Sequence, residues 1–584
     1  MTYLRLYIVC RYLLAFFVLM SALNVNSGES EITNDIASGI EGYSHQKSID
    51  LGEQIYRKGI RPDGNVATAF VQSDIFVDGQ IFTCELCHRR SGLGTSEGYV
   101  VALPINGHNL FRPRVLWDSR RRHSRADSHS TRSRQIPSYF LGKDLRPAYT
   151  DLTLEQAIHN GVDPTGRKLN HIMPRYDFSD KDLSLLMYYL KNLTFDLSPG
   201  VTEEKLHFAT IVTDGVIESD KDAMLNVLNT YVRSRNAQTR NQLKRAQNGV
   251  FNKRELDASY RLLELSVWEL KGSRDTWKQQ LEQYYKNAPV FAILGSIVEG
   301  DWAPIQKFTE SNKIPVIFPI TDQPVVSTDD WYTVYFSKGL YQEGESTARY
   351  LNSKQSELKV SRIIQVYKRG SRGEVIAKGF NETWKHFDVK PVEIYEIQGD
   401  EVLDKKFLQN VSDLQNDVIV LFWGNNEDII SADIFNQPDI GRINFFVSST
   451  LLNDEYPPVL KNLRDQVYVT YPYSLPGDKK RNIAALKTWL KINGIPATNI
   501  NVQAKMYFLV WLLSDIFNKM KSEFYRDYFV ENIEMMKDQT HSISAYPRLS
   551  LGPNQRYASK GCYIVQLSKD ADQTMLKKSD WIVH

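Results

Sequence analysis

The sequence predicts two fold classes within one chain of 584 residues, a small all-α unit followed by a bilobed α/β unit. Two observations support this prediction. Before residue 200, a Cys-x-x-Cys-His motif is followed by short amphipathic helical segments. After residue 205, apolar strand-like segments alternate with amphipathic helical ones, a pattern typical of parallel sheets covered by helices on both faces. The chain is therefore long enough, and varied enough, for a multidomain protein.

The overall composition is that of an ordinary globular protein and gives little information about partners. The chain is 42% hydrophobic and 24% charged, with a formal net charge of +2, so nothing indicates a nucleic-acid partner. It has four cysteines: Cys10, Cys84, Cys87 and Cys562. Only two of them are close together in sequence, so no disulfide framework is expected.

The first 27 residues have the pattern of a secretory signal peptide. Arg5 and Arg11 give a positively charged start, and residues 12–25 are almost wholly apolar. This apolar run is too short for a comfortable bilayer span, and Ser27 is small enough to suit cleavage there. We therefore expect an exported, periplasmic protein of the Gram-negative type. The alternative is an uncleaved segment that acts as an N-terminal membrane anchor.

The motif Cys84-Glu85-Leu86-Cys87-His88 has the spacing that covalent haem attachment requires. Two thiols at this spacing reach the two vinyl groups of one porphyrin, and the adjacent His88 can bind the iron as proximal ligand. The alternative is a thioredoxin-like redox pair, which needs a long helix after the motif. The glycine-rich residues 89–94 end any helix quickly, so the sequence favours a single covalently attached haem c.

A second iron ligand is expected on a later loop that is followed by a helix. Met173 precedes Pro174, which stiffens the loop, and Ser179 with Asp182 forms a capping box at the start of an amphipathic helix. Met173 is therefore the predicted distal ligand, with His171 as the main alternative. Two further histidines also remain candidates, His108 and His159.

An earlier segment, residues 49–60, predicts a first helix with Gly52 and Tyr56 on one face. Such a helix would cross the later helix and pack against Tyr188 or Tyr189. The sequence thus predicts that the first and last helices of this unit pack together.

This order of features resembles the class I cytochrome c family over residues 46–198. The resemblance implies that Cys84 and Cys87 hold the haem, that His88 and Met173 bind its iron, and that the unit transfers electrons to a periplasmic redox partner such as a dehydrogenase. Residues 117–135 depart from the family pattern, with six Arg against two Asp. This basic segment is either a solvated insertion or a surface that steers an acidic partner.

Residues 205–584 predict two α/β lobes, because about 380 residues exceed the usual size of one sheet. The first lobe is expected over 205–328 with C-terminal segments, and the second over 331–465. The segments 290–324 and 551–567 resemble the type I periplasmic binding proteins, in particular their branched-chain amino acid and amide binding branch. The resemblance implies a small-molecule ligand in a cleft between the lobes.

In a fold of this kind, ligands bind outside the carboxyl ends of the strands. Six residues at predicted strand ends are therefore candidates for ligand binding: Ser296, Thr321, Asp322, Tyr367, Trp423 and Ser449. Hydroxyls and backbone amides would receive a carboxylate, and Asp322 would receive an ammonium or amide group. The alternative is that these polar residues only cap loops and helices.

Together, these features predict an exported c-type cytochrome for periplasmic electron transfer, whose second unit binds a small molecule or docks a redox partner. Three alternatives remain: a haem-containing receptor for an ABC transporter with its membrane permease, a ligand or redox sensor, and a haem enzyme. No Gly-x-Ser-x-Gly, Walker-type, dinucleotide-binding or His-Glu-x-x-His motif occurs. The sequence therefore favours a carrier or binding protein over an enzyme.

Overall fold

A computed structural model of the protein describes most of the chain beyond residue 38. The described ranges are 39–72, 75–97, 100–115, 145–247, 261–354, 360–387, 389, 391–399, 401, 403–411, 417–436, 442–461, 463–535, 541–568 and 575–583. The chain divides into two compact units, unit 1 up to Asp196 and unit 2 from Leu197. The predicted signal peptide and the basic segment 117–135 lie outside the described residues.

Unit 1 has a helical core. Its described helices are α1 (His45–Lys58), α2 (Cys84–His88), α3 (Gly107–Leu110), α4 (Asp151–His159) and α5 (Asp180–Asn192). Helix α5 begins at Ser179, whose hydroxyl and the Asp182 carboxylate form the predicted capping box. Apolar side chains from α1, α4 and α5 form the hydrophobic core of the unit.

The crossing of α1 and α5 is a close helix contact in this core. A Cβ atom at Gly52 would lie 2.5 Å from both the Leu185 carbonyl oxygen and the Tyr189 Cβ. Only a glycine permits this approach of the two backbones. One turn further along α1, the Tyr56 and Tyr189 rings lie 5.4 Å apart between centroids. The predicted contact of Gly52 and Tyr56 with the later helix is therefore present.

Unit 1 also contains short strands, so the prediction of an all-α unit was incomplete. Its strands are β1 (Thr68–Val71), β2 (Ile75–Asp78), β3 (Thr95–Glu97), β4 (Val100–Ala102), β5 (Arg114–Val115), β6 (Leu145–Arg146) and β7 (Arg175–Tyr176). They pair as a three-stranded antiparallel sheet in the order β2-β1-β7 and as two-stranded ribbons, β3 with β4 and β5 with β6. The apolar residues on either side of the β1–β2 turn favour this hairpin over a helix.

The first sheet of unit 2 is fully parallel and has the order β12-β11-β10-β8-β9. Its strands are β8 (Lys205–Thr213), β9 (Leu262–Leu270), β10 (Ala292–Leu294), β11 (Val316–Ile317) and β12 (Thr333–Val334). The helices between them are α6 (Glu218–Gln247), α7 (Trp277–Asn287) and α8 (Ala303–Ser311). Apolar clusters on both faces of this sheet are buried, as parallel sheets require.

The second sheet has the order β14-β13-β15-β16-β17-β18-β19, with β20 also paired to β18. Its strands are β13 (Val360–Lys368), β14 (Glu393–Ile397), β15 (Asp417–Phe422), β16 (Ile443–Ser448), β17 (Val467–Tyr471), β18 (Gly561–Leu567), β19 (Met575–Lys577) and β20 (Ile582–Val583). The strands from β13 to β17 are parallel and the last three pair antiparallel. Helices in this lobe are α9 (Leu340–Ser353), α10 (Arg372–Trp384), α11 (Lys405–Val411) and α12 (Asn426–Ser431).

Three further helices follow β17: α13 (Pro476–Ile492), α14 (Ile500–Met520) and α15 (Arg526–Glu534). They pack into the core of the first sheet, where α14 is buried along most of its length. The chain segments that make up each lobe therefore differ from the predicted ones. Strand β12 extends the first sheet although it lies after residue 331, and β17 with the C-terminal strands completes the second. Strand pairing, which the local sequence does not specify, decides these assignments.

None of the helices in the described ranges is both long and apolar enough to cross a membrane.

Candidate functional site

The Cys-x-x-Cys-His motif forms one short helix, α2, with defined ends. The Thr83 hydroxyl accepts a hydrogen bond from the Leu86 amide at 3.3 Å and caps its start. The helix ends at Arg89, which has a φ of +64° and breaks the helical path. Cys84 and Cys87 are three residues apart in this helix and therefore lie on one face. Neither thiol is in a disulfide.

The imidazole of His88 is fixed by a backbone contact. Its Nδ1 lies 2.8 Å from the carbonyl oxygen of Leu103, which can only accept a hydrogen bond. Nδ1 therefore carries the proton, and the lone pair of Nε2 is left for a metal. Burial lowers the pKa of His88, which favours the neutral form that coordinates iron. A carbonyl that orients the second ring nitrogen is the usual support of a metal-binding histidine.

Apolar side chains are exposed on both sides of α2. Ile81 is 68% exposed, Leu86, which lies within the motif, is 55% exposed, and Leu103 is 44% exposed. Ile172, next to Met173, is 38% exposed. Exposed apolar surface of this kind is a common sign of a binding site. These side chains and the thiol pair fit a flat apolar group such as a porphyrin.

The thiol of Cys84 lacks the properties of a redox-active cysteine. Burial raises its pKa to about 12, against the lowered pKa values of cysteines in thiol-exchange proteins. The helix also stops at His88, whereas a thioredoxin-like pair requires a long helix after it. Both observations weigh against the thiol-exchange alternative.

Met173 lies in the loop before β7, close to the segment that leads into α2. Its side chain is half-buried, and its carbonyl accepts a hydrogen bond from Arg175 Nη1 at 2.5 Å. Three residues after Met173, the Tyr176 hydroxyl donates to the carbonyl of Phe82, which lies two residues before Cys84. This contact joins β7, which follows the predicted Met-Pro loop, to the segment that precedes the motif.

The other candidate histidines have different surroundings. His171 is exposed two residues before Met173, so it stays an alternative on the same loop. The Nε2 of His108 lies 2.9 Å from the carbonyl oxygen of Phe195, and the two rings stack at 5.1 Å. His159 lies in the last turn of α4. The contact with Phe195 engages Nε2 of His108, as Leu103 engages Nδ1 of His88, so it does not exclude His108 as an iron ligand.

In unit 2, the three candidates of the first lobe differ in accessibility. Ser296 is fully buried, and its hydroxyl accepts a hydrogen bond from the Ile211 amide at 2.9 Å. Thr321 is half-buried and its hydroxyl accepts from the Gln323 amide at 3.1 Å. Asp322 forms an ion pair with Arg372, at the start of α10. Ser296 therefore has a structural role, and Asp322 joins loops of the two lobes.

The three candidates of the second lobe are mostly parts of its core. Tyr367 and Trp423 belong to one apolar cluster, and Trp423 is 1% exposed. The Trp423 Nε1 donates to the Gln365 side-chain oxygen at 3.1 Å, so its only polar atom is already used. Ser449 is also fully buried beside the end of β16. At this strand end the large indole of Trp423 fills the core.

A buried acid that the sequence analysis missed lies on α9. Glu343 is 0% exposed, and neither carboxylate oxygen has a hydrogen-bond partner among the described residues. Burial raises its pKa to about 8, although nearby Thr450 and Ser448 hydroxyls and the Arg372 guanidinium lower it. The sequence feature that could have revealed it is an acidic residue on the same helix face as Leu340 and Thr347, which are buried. A single helix pattern does not reveal what lies opposite that face.

The groups around Glu343 come from strand ends of both lobes. Arg372 follows β13, Thr450 follows β16, and Asp322 follows β11. Tyr473 follows β17, and its hydroxyl lies 2.9 Å from that of Thr450. Carboxyl ends of parallel strands therefore converge here, as ligand sites of such sheets require. We refer to Asp322, Glu343, Arg372, Thr450 and Tyr473 as the interlobe cluster.

Elsewhere in unit 2, a groove of about 570 Å³ lies between α13 and the C-terminal strands. Its charges are largely paired with one another, Arg481 with Asp478 at 2.6 Å and Lys577 with Asp580 at 2.6 Å. This pairing leaves little charge for a ligand. Within the part of the chain that the structure describes, no group of three or more His, Cys, Asp and Glu side chains could hold a metal ion.

Comparison with known proteins identifies the family to which unit 2 is similar. The family model described as periplasmic binding protein matches residues 261–572, and no curated protein matches the chain. Similar solved structures include an ABC transporter substrate-binding protein from Sphaerobacter thermophilus, with 12% identity over 65% of this chain and 98% of that one, at a TM-score of 0.45.

Two further structures cover similar shares of the chains. One is a solute-binding protein from R. palustris in complex with benzoate, with 13% identity over 65% of this chain and 96% of that one, at a TM-score of 0.43. The other is the branched-chain amino acid transporter substrate-binding protein LivJ from Streptococcus pneumoniae in complex with isoleucine. It has 13% identity over 64% of this chain and 100% of that one, at a TM-score of 0.41. The family match spans more than half of the 584 residues, and the chain therefore belongs to the periplasmic binding protein family.

Proposed function

We propose that the protein is an exported c-type cytochrome whose second unit binds a small molecule. The motif helix α2 carries this proposal, because it presents two thiols on one face and a histidine whose Nδ1 is fixed by a carbonyl at 2.8 Å. The family of unit 2 and the apolar, positively charged N-terminus both support a periplasmic location.

Each residue of the motif has a defined task in this proposal. Cys84 and Cys87 would hold one haem c through thioether bonds, and His88 would bind its iron through Nε2. A bound haem supplies a one-electron Fe(III)/Fe(II) couple. The carbonyl of Leu103 holds the proton at Nδ1 of His88 and keeps the ring oriented. The exposed side chains of Ile81 and Leu86 would exclude water from the porphyrin edge.

Met173 would supply the distal ligand, which sets the redox potential. A thioether ligand raises the potential relative to a second imidazole, so Met173 and His171 predict different carriers. Arg175 stabilises the loop by donating to the Met173 carbonyl at 2.5 Å. A periplasmic dehydrogenase or a similar redox protein would exchange electrons with this unit.

Unit 2 would bind its ligand where the strand ends of the two lobes converge. The Asp322–Arg372 ion pair joins the lobes at that place, so ligand entry would require it to open. The family membership of unit 2 also favours a second candidate function, in which the protein delivers its ligand to an ABC transporter permease. In that case the haem would serve a sensing or structural purpose.

The test is the absorption spectrum of the exported full-length protein, oxidised and reduced, with Met173→Ala and His171→Ala variants. A c-type spectrum with a weak far-red band that only Met173→Ala abolishes is expected. Loss of the low-spin spectrum only in His171→Ala would assign the distal ligand to His171. A protein that matures in a haem-attaching host without any covalent haem would overturn the cytochrome proposal and leave the binding function of unit 2.

A further inference from the structure

Helix α9 carries an unusual row of buried polar side chains. Gln342 donates to the Gly561 carbonyl at 2.6 Å, Thr347 bonds the Thr470 hydroxyl at 2.8 Å, and Glu345 pairs with Lys338 at 2.9 Å. Glu343 is as deeply buried as these residues, yet neither of its oxygens has a hydrogen bond of good geometry, and the Thr450 and Ser448 hydroxyls lie close enough only to lower its pKa in part. A buried carboxyl without hydrogen bonds is costly, and such a group in a native protein calls for an explanation.

The backbone around Glu343 fixes its position. A Cβ at Gly344 would lie 2.1 Å from the Ile376 carbonyl oxygen, and a Cβ at Gly379 would lie 2.2 Å from that of Tyr341. This pair of glycines brings α9 and α10 into direct backbone contact. This contact holds the backbone of α9 in place at Glu343.

The charges of the interlobe cluster do not balance when Glu343 is ionised. Arg372 already forms its ion pair with Asp322, which leaves the carboxylate of Glu343 without a counter-charge of its own. The hydroxyls of Thr450 and Tyr473 stand beside it as neutral hydrogen-bonding groups. One added positive charge would neutralise the site, and polar hydroxyls would complete its coordination.

We propose that Glu343 is the group that receives a positively charged ligand, and that the ligand of unit 2 is an organic cation with a primary ammonium group. This inference rests on the proposed function of unit 2 as a small-molecule binder and names its substrate class. An ammonium donates up to three hydrogen bonds, which suits a carboxylate flanked by hydroxyls. A metal ion is disfavoured, since the described residues offer no cluster of three metal-binding side chains here.

Binding of such a cation would be coupled to loss of a proton. Burial raises the pKa of Glu343 to about 8, so the empty site is mostly neutral at pH 7. Burial raises the pKa values of Tyr473 and Cys562 well above their usual values, so these two neighbours stay neutral in this range. Asp322 forms its ion pair with Arg372.

The experiment is isothermal titration calorimetry of the full-length protein with primary alkylammonium salts, with alkyl carboxylates of the same lengths, and with leucine. An alkylammonium ion is expected to bind, with affinity roughly 50-fold weaker at pH 6 than at pH 8, as a carboxyl pKa of about 8 requires. Near pH 7 the measured enthalpy should depend on the buffer, because the protein releases about one proton.

Two variants make the result specific. Glu343→Gln keeps the shape of the side chain and should weaken alkylammonium binding roughly 10- to 100-fold, as expected for a hydrogen bond to a charged group. Glu345→Gln, on the same helix, is the matched control and should leave the affinity unchanged, with thermal melts to confirm that both variants fold. Binding of leucine or a carboxylate that is insensitive to Glu343→Gln would overturn this inference and leave the proposed function intact. Absence of binding by every compound would overturn the inference and remove the support for a ligand of these classes.

Discussion

The two candidate sites of the molecule are assembled in opposite ways. In unit 1, the thiols and the imidazole lie within five consecutive residues of α2, so the helix itself sets their spacing. In unit 2, Glu343, Arg372 and Thr450 come from three elements that are more than 100 residues apart from first to last. The first site depends on one helix and its capping, whereas the second depends on the packing of two lobes.

Because the first site depends on one helix, we expect it to lose its haem completely when the sulfur atoms of its two cysteines are replaced by oxygen. If haem c is attached as proposed, Cys84→Ser and Cys87→Ser would each remove one thioether bond, and the double variant should carry no covalent haem. The check is the haem-specific stain of denatured protein together with its absorption spectrum. Because burial already raises the pKa of Cys84 to about 12, the thiol contributes little charge to the fold. Unit 1 should therefore still fold around the α1–α5 crossing.

A matched control is His88→Ala, which should retain covalent haem and lose only the low-spin spectrum. If His88→Ala instead left the spectrum unchanged, the assignment of the proximal ligand would be wrong.

The same contrast explains what the sequence could and could not reveal. The motif, the capping box at Ser179 and the contact of Gly52 with the later helix follow from local patterns, and the structure contains all of them. The strand-end argument selected both Asp322, which forms an ion pair between loops of the two lobes, and Trp423, which fills the core. Which strand end faces the other lobe depends on strand order, and no local pattern encodes that order.

Glu343 was missed for the same reason. A glutamate within a helix is ordinarily solvated, and only the packing of α9 against α10 and the second sheet makes it buried. The glycine pair that creates this packing is separated by 35 positions, Gly344 and Gly379. A dispersed site of this kind becomes visible only after the fold is known.

The second prediction concerns the pH dependence of stability. The pKa of Glu343 is about 8 in the folded protein against a usual value of 4.5, so the folded state binds more protons between these values. Stability should therefore be fully present below about pH 4.5 for this group and fall as pH rises to 8, by about 1.4 kcal/mol per pH unit and on the order of 4 kcal/mol in total.

Glu343→Gln should remove this slope and make unit 2 more stable than the wild type above pH 8. The measurement is the free energy of unfolding from urea titrations at a series of pH values. An identical pH profile in the wild type and the variant would show that the carboxyl is solvated or paired.

The third prediction compares one helix crossing in each unit. Gly52→Ala places a Cβ 2.5 Å from a backbone carbonyl, and Gly344→Ala places one 2.1 Å from another. Each should destabilise its own unit by about 1–3 kcal/mol, since overpacking outweighs the better helix propensity of alanine. Gly344→Ala should also weaken ligand binding. Gly477→Ala in α13 is the control, because nothing lies within 4 Å of its added Cβ.

Melting curves of the three variants would decide this comparison. A loss of stability in Gly477→Ala as large as in the other two would mean that the close approach of helices is not the cause of the loss at Gly52 and Gly344, because alanine has the better helix propensity.

The smallest effect is expected at the ion pair that joins the two lobes. The side chains of Arg372 and Asp322 are 42% and 26% exposed, so water screens their attraction. Arg372→Ala should lower the free energy of unfolding by less than about 1 kcal/mol, as is typical of exposed ion pairs.

The effect of Arg372→Ala on the pKa of Glu343 should be easier to measure, because the guanidinium lowers the pKa of that carboxyl. Removal of Arg372 should therefore shift the onset of alkylammonium binding to higher pH, although it adds no contact to the ligand. Titrations of Arg372→Ala and Arg372→Lys at several pH values separate the two roles, since lysine keeps the charge and loses the planar fork that pairs with Asp322. If both variants shift the pH profile equally, the geometry of the pair matters; if only alanine does, its charge alone acts on Glu343.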